Sequence, residues 1–349
     1  MPFLEQLSPT QQFLLFSTLK IVGAIFLVLL PMVAYSVLAE RKISAFIQDR
    51  VGPNRVGPFG IWQPLADGLK SFLKEDFTPA HVRKAYFWLA PALSLVPAFL
   101  TVAVIPFGSF LGKQKMVIAD LNVGILYTFG IVSLGVYGIV LAGYAANSKY
   151  PFLGGIRSSA QMISYEIAMG MSVIPVFMLV GDLNLSQVIN YQSSGAWLVF
   201  KQPLSFFIFL VAAFAETNRL PFDLPESETE LVGGYHTEYS SMKFALFFMA
   251  EYANMITSSA MMVTLFFGGW TLPFGGLDQP AITLAGGLVH IGIFFGKIVV
   301  LMVVFIWVRW MLPRFRYDQL MDLGWRRFIP LALANILATA VVLWLQSVK

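Results

Sequence analysis

Four glutamates lie within or at the ends of long apolar segments of this sequence, at Glu40, Glu166, Glu216 and Glu251. A charged side chain inside a membrane is costly, so an ionisable residue in such a segment is by default a candidate for function. Carboxylates from several helices at one depth could form a proton relay, because repulsion between neighbouring carboxylates favours proton uptake. The competing interpretation is that each glutamate caps a helix or pairs with a basic neighbour.

A second acidic group follows the third of these glutamates. In the segment AETNRLPFDLPESETELVGGYHTEYS, residues 215–240, Asp223 precedes an alternating set of acids at Glu226, Glu228 and Glu230. Acidic runs are usually solvated, but this one is embedded among prolines and apolar residues, and Arg219 offsets it locally. The pattern leaves open a divalent-metal site or a proton-uptake path, and we expect residues 226–230 to be the switching element of such a path.

Basic side chains form the third group. Arg41 and Arg309 fall at the ends of apolar segments and could line a cavity for a polar headgroup, whereas orientation in the membrane explains most other arginines. His290 and Lys297 share one helix face, so they could extend the proton path or form structural hydrogen bonds. The sequence has no His/Cys metal spacing, dinucleotide fingerprint or nucleophile elbow, and we expect no metal or cofactor bound by this chain alone.

The composition indicates that membrane helices position these residues. Hydrophobic residues make up 57% and charged residues 12% of the 349 residues, the latter being about half of what a soluble domain carries. The absence of cysteine excludes disulfides, thiolate catalysis and all-cysteine iron–sulfur clusters in this chain. The formal charge of +4 does not indicate a nucleic-acid partner, because the basic residues lie in loops between apolar segments.

Eight apolar segments are predicted to be membrane helices, and no alternation typical of strands persists. They cover residues 12–38, 86–106, 124–146, 158–180, 203–217, 241–268, 284–310 and 328–347. The fifth is short, but 17 of the 23 Lys and Arg residues fall on one side of the membrane only if it spans. Since cytoplasmic loops carry the basic excess, both termini are predicted on the outer, periplasmic side. The fold class is an all-α polytopic membrane protein, with one domain over residues 1–349 and long structured cytoplasmic loops.

The first cytoplasmic loop has structure of its own. GPNRVGP, residues 52–58, contains two Gly-Pro steps that favour turns. Trp62, Leu65, Leu69 and Phe72 then recur at helical spacing. This pattern predicts an amphipathic helix at the membrane surface over about residues 60–75.

Several of these segments together resemble one protein family. The segments are AERK (residues 39–42), GPNRVGP, GIWQPLADGLKSFLKE, SYE (164–166), the acidic segment, AEY (250–252) and LPRFRYDQLMDLGW (312–325). Their content and order are similar to the H subunit of respiratory complex I, the proton-translocating NADH:quinone oxidoreductase, whose mitochondrial counterpart is ND1. The resemblance spans nearly the whole chain and implies a position at the junction of the redox arm and the membrane arm.

The resemblance also implies a substrate, partners and site residues. Quinone would be the substrate, and FMN and iron–sulfur clusters would be held by partner subunits. The partners would be cluster-bearing quinone-module subunits and antiporter-like membrane subunits, together with membrane lipid, in the bacterial inner membrane. The implied quinone tunnel is bordered by Glu40, Arg41, Asp67 and Arg309. The implied carboxylate path, which couples quinone reduction to proton translocation, consists of Glu166, Glu216, Asp223, Glu226, Glu228, Glu230 and Glu251.

Two other functions remain open from the residues alone. A stand-alone proton-coupled secondary transporter could use the same carboxylates, although transporters usually show inverted repeats and none is evident here. The equivalent subunit of a related hydrogenase or ferredoxin-dependent complex would share the fold and have different partners. Co-purification with cluster-bearing subunits would separate a complex subunit from a transporter.

Overall fold

The computed structural model describes residues 8–112, 114–225, 228–274 and 276–347, whose regular secondary structure is almost all helix. The predicted all-α membrane class is therefore confirmed. The helices are α1 (Pro9–Val22), α2 (Leu30–Ile47), α3 (Gln63–Leu73), α4 (Lys84–Leu100), α5 (Gly124–Ala145), α6 (Lys149–Val180), α7 (Leu185–Ser193), α8 (Leu198–Lys201), α9 (Pro203–Glu216), α10 (Glu228–Leu231), α11 (Ser241–Phe266), α12 (Leu284–Met311), α13 (Tyr317–Asp322) and α14 (Ile329–Ser347). A π-helical segment, Gly23–Leu29, joins α1 to α2, and another, Leu323–Phe328, joins α13 to α14.

Six helical segments are long and apolar enough to cross a membrane, among the residues described. They are Leu14–Ile47, Lys84–Val104, Gly124–Ala145, Lys149–Val180, Leu284–Met311 and Tyr317–Ser347. The other two predicted spans are helices as well, but α9 is short, and α11 carries Lys243, Glu251 and Asn254 among its apolar residues. The count of eight spans and the outward placement of both termini stay predictions.

Two helices extend farther at their predicted inner ends than the apolar pattern indicates. α2 continues to Ile47, so Glu40 lies about two turns before the helix end instead of at it. α6 begins at Lys149 and not near residue 158, so Glu166 lies deeper along its helix than expected. In α2 the additional residues include Arg41 and Lys42, and arginine and lysine continue a helix nearly as well as leucine does. In α6 they include Gly154 and Gly155, where the lack of a side chain allows close packing against residues 234–235 and against α5. The apolar pattern registers neither effect.

A helix, α3, lies within the predicted range of residues 60–75 and is slightly shorter at both ends. Its position at the membrane surface stays a prediction. Pro64 stands in its first turn, where the missing backbone N–H breaks no helical hydrogen bond. The side chains of Leu65, Leu69 and Phe72 are exposed in this chain. An apolar face of this kind suits contact with lipid or with a partner.

The loop between α4 and α5 contains a small amount of strand, which the sequence pattern does not predict. β1 (Phe110–Leu111) pairs antiparallel with β2 (Gln114–Lys115). Two residues per strand are too few to produce an alternating pattern, so a hairpin of this length gives no periodic signal.

α9 and α11 lie at the centre of the helix packing. α11 contacts α2, α3, α4, α7, α8, α9 and α12. The small residues Ala212, Ala213 and Ala215 of α9 are fully buried, and small side chains let neighbouring helices approach closely. Glu216 at the end of α9 and Glu251 within α11 are therefore placed inside the bundle.

Candidate functional site

The chain reverses direction at the end of α9, and one buried amide on α6 holds the turn. Gln161 is 0% exposed. Its Nε2 donates to the carbonyl oxygen of Ala215 at 2.6 Å and to that of Phe222 at 2.7 Å. These bonds join both ends of the turn to α6. The turn therefore presents Arg219 in one fixed position between α2 and α11.

Arg219 is the centre of a buried ion-pair network. Its Nη1 lies 3.3 Å from Glu40 Oε2, and its Nε lies 2.7 Å from Glu251 Oε1. The Tyr252 hydroxyl donates to Glu40 Oε2 at 2.6 Å, and the Arg219 guanidinium lies 4.4 Å from the centre of the Tyr252 ring. Arg309 Nη1 also binds Glu40, at Oε1. One cation is therefore shared by Glu40, predicted for the quinone tunnel, and Glu251, predicted for the carboxylate path.

A second ion pair ties the same turn to the residues after α12. Arg314 Nη2 lies 2.8 Å from Oδ2 of Asp223, which is 7% exposed. The backbone N–H of Phe315 donates to the carbonyl oxygen of Pro221 at 3.1 Å. With the network around Arg219, these contacts bring three acids and three arginines together. The balanced charge offsets part of the cost of removing each ion from water.

Glu216 differs from the three paired acids because no ion pair reaches it within the described residues. It is 7% exposed, and its Oε2 has no hydrogen-bond partner in the described part of the chain. Glu166, which accepts a hydrogen bond from Ser133, lies within electrostatic range of it. A buried carboxylate without a counter-ion carries its charge at a cost. Glu216 is therefore the acid of this group best placed to take up and release a proton.

Glu216 and Glu251 line one small cavity, of about 30 Å³, where α4, α5, α6, α9 and α11 meet. Ser94 and Asn254 add further polar groups to its wall. The four glutamates that the sequence analysis groups together are thus connected through short steps. Glu166 is near Glu216, Glu216 shares the cavity with Glu251, and Arg219 links Glu251 to Glu40.

A larger cavity, of about 890 Å³, lies between α2, α3, the start of α11 and the end of α12. The residues predicted for the quinone tunnel, Glu40, Arg41, Asp67 and Arg309, all line it. Arg41 Nη1 donates to Asp67 Oδ2 at 2.8 Å, and Gln63 Nε2 donates to Asp67 Oδ1 at 2.9 Å. Apolar residues form much of the remaining wall, among them Val33, Val37, Phe244, Phe248 and Met249. A cavity of this size with a few polar groups is typical of a small-molecule site.

The alternating acids are described only in part. Glu226 lies outside the described residues, and only the backbone of Glu228 is described, at the start of α10. The Glu230 carboxylate lies 2.6 Å from Nη1 of Arg157, and its side chain is 54% exposed. Glu230 therefore binds α6 near the surface. Over the described ranges, no group of three or more His, Cys, Asp or Glu residues is arranged to hold a metal ion.

His290 and Lys297 of α12 form hydrogen bonds with loops next to this helix. His290 Nδ1 lies 2.7 Å from the Ser109 hydroxyl oxygen. Lys297 Nζ donates to three backbone carbonyl oxygens of residues 267–271, at 2.6 to 2.9 Å. These carbonyls lie in the turns after the end of α11 and outside its helical hydrogen-bond pattern, so Lys297 supplies a donor that the helix does not provide. The contacts favour structural hydrogen bonds over an extension of the proton path.

An aromatic cluster joins the last part of the acidic segment to the start of α11. The His236 ring lies 5.0 Å from the ring of Tyr235 and 5.2 Å from that of Phe244. Burial lowers the pKa of His236 from 6.5 to about 4, since desolvation disfavours the charged imidazolium. His236 is therefore neutral near pH 7.

Three residues that organise the site are absent from the sequence-based set: Arg219, Gln161 and Tyr252. Arg219 carries a signal in the sequence, because it is the basic residue of the acidic segment. Tyr252 directly follows Glu251, but adjacency in a helix does not predict that the two side chains reach different acids. Gln161 is a single amide in α6, and nothing in its spacing indicates the turn that it holds.

Comparison with known proteins gives a consistent set of relatives. Residues 19–340 match the family described as NADH dehydrogenase. The chain is 52% identical to the NADH-quinone oxidoreductase H subunit 1 of Cytophaga hutchinsonii over 341 residues, which cover 96% of this chain and 98% of that protein. It is 50% identical to the NADH-quinone oxidoreductase H subunit 1 of Geobacter sulfurreducens over 338 residues, which cover 93% of this chain and 94% of that protein.

Proposed function

The chain belongs to the NADH dehydrogenase family, as an H-type membrane subunit of NADH-quinone oxidoreductase, and we propose that it forms the quinone entrance and the proton-coupling path of that enzyme. Its partners would be the cluster-bearing subunits of the quinone module, which deliver electrons, and antiporter-like membrane subunits, which move protons. FMN and the iron–sulfur clusters would reside in partner subunits. The complex would lie in a bacterial inner membrane.

The quinone entrance is supported by the larger cavity. An isoprenoid quinone is apolar apart from its two carbonyl groups, so its site needs apolar walls and a few hydrogen-bond donors. The cavity of about 890 Å³ has such walls, and Arg41 and Arg309 are donors on its lining. Phe72, one of the exposed apolar residues of α3, lines the same cavity, and the apolar face to which it belongs would lie against the membrane from which quinone enters.

The single observation that carries the coupling role is the pairing of Glu40 and Glu251 with one arginine. Glu40 lines the larger cavity, and Glu251 lines the small cavity beside Glu216. Arg219 contacts both carboxylates. Reduction of quinone changes the charge and proton demand next to Glu40. In a region of low dielectric constant, such a change alters the electrostatic potential at Arg219 and Glu251, and therefore the tendency of Glu216 to hold a proton.

The test is the substitution Glu216→Gln in the assembled complex. Glutamine keeps the size of the side chain and cannot exchange a proton, so we expect normal assembly. Quinone reduction coupled to proton translocation should fall by roughly a hundredfold or more, the scale of losing one proton-transfer group. The measurements are NADH-driven quinone reduction and proton uptake in membrane vesicles.

The matched control is Glu75→Gln, at an exposed glutamate in the loop after α3, which should leave both rates unchanged. A Glu216→Gln complex with wild-type quinone reduction and proton translocation would show that the coupling path does not run through this residue.

A further inference from the structure

Two residues that line the small cavity, Ser94 and Glu216, each have a buried polar atom without a hydrogen-bond partner in the described part of the chain. Ser94 on α4 is 6% exposed, and among the described residues its hydroxyl oxygen has no hydrogen-bond partner. Glu216 Oε2 is in the same condition. Both residues line the cavity of about 30 Å³. Buried polar groups in native proteins are nearly always hydrogen-bonded to protein or to ordered water, so two such atoms on one cavity indicate a common third partner.

The cavity fits a water molecule in size and in polarity. Roughly 10–15 Å³ of this kind of space is enough for one water, which needs two to four polar partners. The cavity has that volume, and Asn254 lines it together with Ser94 and Glu216. We propose that an ordered water bridges the Ser94 hydroxyl and Glu216 Oε2, and that Ser94 is a positioning residue for proton exchange at Glu216. The proposal rests on the proposed function of Glu216.

The packing of α4 against α5 holds the Ser94 hydroxyl in place. A Cβ atom at Gly138 of α5 would lie 2.2 Å from Ser94 Oγ and 3.0 Å from the carbonyl oxygen of Ala90. Any larger residue at this position would therefore displace Ser94 or separate the helices. The absence of a side chain at Gly138 lets the serine occupy the contact between α4 and α5 and reach the cavity.

A serine hydroxyl suits this task because it can both donate and accept a hydrogen bond. When Glu216 is ionised, the water donates to the carboxylate and accepts from Ser94. When Glu216 is protonated, the carboxyl O–H donates to the water, and the water donates to Ser94. The Ser94–water pair therefore serves both protonation states without a movement of the backbone. A hydrogen bond to the ionised form also makes Glu216 easier to ionise.

The test is Ser94→Ala in the assembled complex, measured as the pH profile of coupled quinone reduction. Loss of the bridge removes a hydrogen bond to the ionised carboxylate, so the midpoint assigned to Glu216 should move to higher pH by about one unit. The matched control is Ser259→Ala. Ser259 is a buried serine of α11 whose hydroxyl also has no partner among the described residues, and it does not line the cavity. This variant should keep the wild-type profile.

A second variant fills the cavity instead of removing the hydroxyl. Gly135 lines the cavity, and a Cβ atom there would meet no atom within 4 Å, so Gly135→Ala adds a methyl group without a clash. We expect the same upward shift, because the methyl group displaces the water. Gly130→Ala is the control on the same helix, since its Cβ also meets no atom and it does not line the cavity.

The outcomes separate this inference from the proposed function. If Glu216→Gln removes coupling while Ser94→Ala and Gly135→Ala both keep the wild-type pH profile, the water site is wrong and the role of Glu216 stands. If Glu216→Gln leaves coupling intact, the proposed function fails and the water site has no role in it. A shift in both cavity variants, with neither control shifted, supports the inference.

Discussion

Removal of Arg219 should leave Glu251 as a buried charge without a partner. Glu40 keeps Arg309 and the Tyr252 hydroxyl after the substitution Arg219→Gln, whereas the ion pair of Glu251 is with Arg219. The side chains of Arg219 and Glu251 are 7% and 12% exposed, so solvent cannot replace the lost partner. The substitution therefore removes the ion-pair partner of Glu251 and affects the other acids of the site less.

The expected size of the effect follows from the burial of the pair. Removing one partner of a buried ion pair costs about 3–5 kcal/mol. A cost of that order changes the balance between ionised and neutral carboxylate by about a thousandfold, so Glu251 should take up a proton in the variant. The assembled complex should lose stability, and the electrostatic connection between Glu40 and the small cavity should be lost with it.

A double-mutant cycle measures this coupling. The purified wild-type complex, Arg219→Gln, Glu251→Gln and the double variant are compared by the rate of thermal inactivation and by coupled quinone reduction. The double variant should inactivate more slowly than Arg219→Gln, because replacement of both partners leaves no stranded charge. Arg316→Gln is the control, since Arg316 and Asp318 form a surface pair with side chains 75% and 64% exposed and should have no measurable effect. If the effects of the two single substitutions on stability simply add in the double variant, Arg219 and Glu251 are not coupled and the proposed link is wrong.

Two further predictions concern other parts of the chain. Arg41→Ala should raise the KM for quinone by about tenfold, as expected for the loss of one charged hydrogen bond. The complex should assemble normally, because the ion pair between Arg41 and Asp67 is partly exposed. Steady-state kinetics with a soluble quinone measures the KM, and an unchanged value argues against a contact between Arg41 and the quinone headgroup. Because burial lowers the pKa of His236 to about 4, the unfolded state binds the additional proton below about pH 6.5. The free energy of unfolding should therefore fall as the pH drops from about 6.5 towards 4, by up to about 3 kcal/mol. His236→Gln should flatten this pH dependence in thermal inactivation assays. An identical pH dependence in both proteins would contradict the lowered pKa of His236.

The fold class was predictable because lipid imposes simple requirements on a sequence. Six long apolar segments agree with helices suited to span a membrane, and apolar length alone is a strong signal for them. The helix ends that are predicted to face the cytoplasm could not be located in the same way. α2 and α6 continue beyond their apolar segments because of local helix propensity and packing. The pattern of hydrophobic residues contains information on neither of these two causes.

The grouping of the site residues was predictable only through the resemblance, and their pairing was not predictable from the sequence. Arg219 lies 179 residues from Glu40 along the chain, and Arg309 lies 269 residues from it. Contacts at such separations depend on how the helices pack and on the turn that Gln161 holds. The sequence contains no local pattern for either feature. That Glu216 and Glu166 have no ion pair among the described residues, whereas Glu40 and Glu251 do, emerges only from the three-dimensional arrangement.

The arginines of the network also show why the excess of positive charge on one side of a membrane protein can conceal function. Arg309 and Arg314 lie at and just after the end of α12 that is predicted to face the cytoplasm, where the positive-inside rule accounts for them by orientation alone. The rule uses only the position of an arginine in the sequence, whereas function depends on the position of its guanidinium group in the structure. A long side chain can place its head several ångströms from its own Cα, and both of these heads bind acids, Glu40 and Asp223. The same residues can therefore orient the helix during insertion and balance the charge of the site afterwards, so an explanation by topology gives no reason to discount an arginine as a site residue.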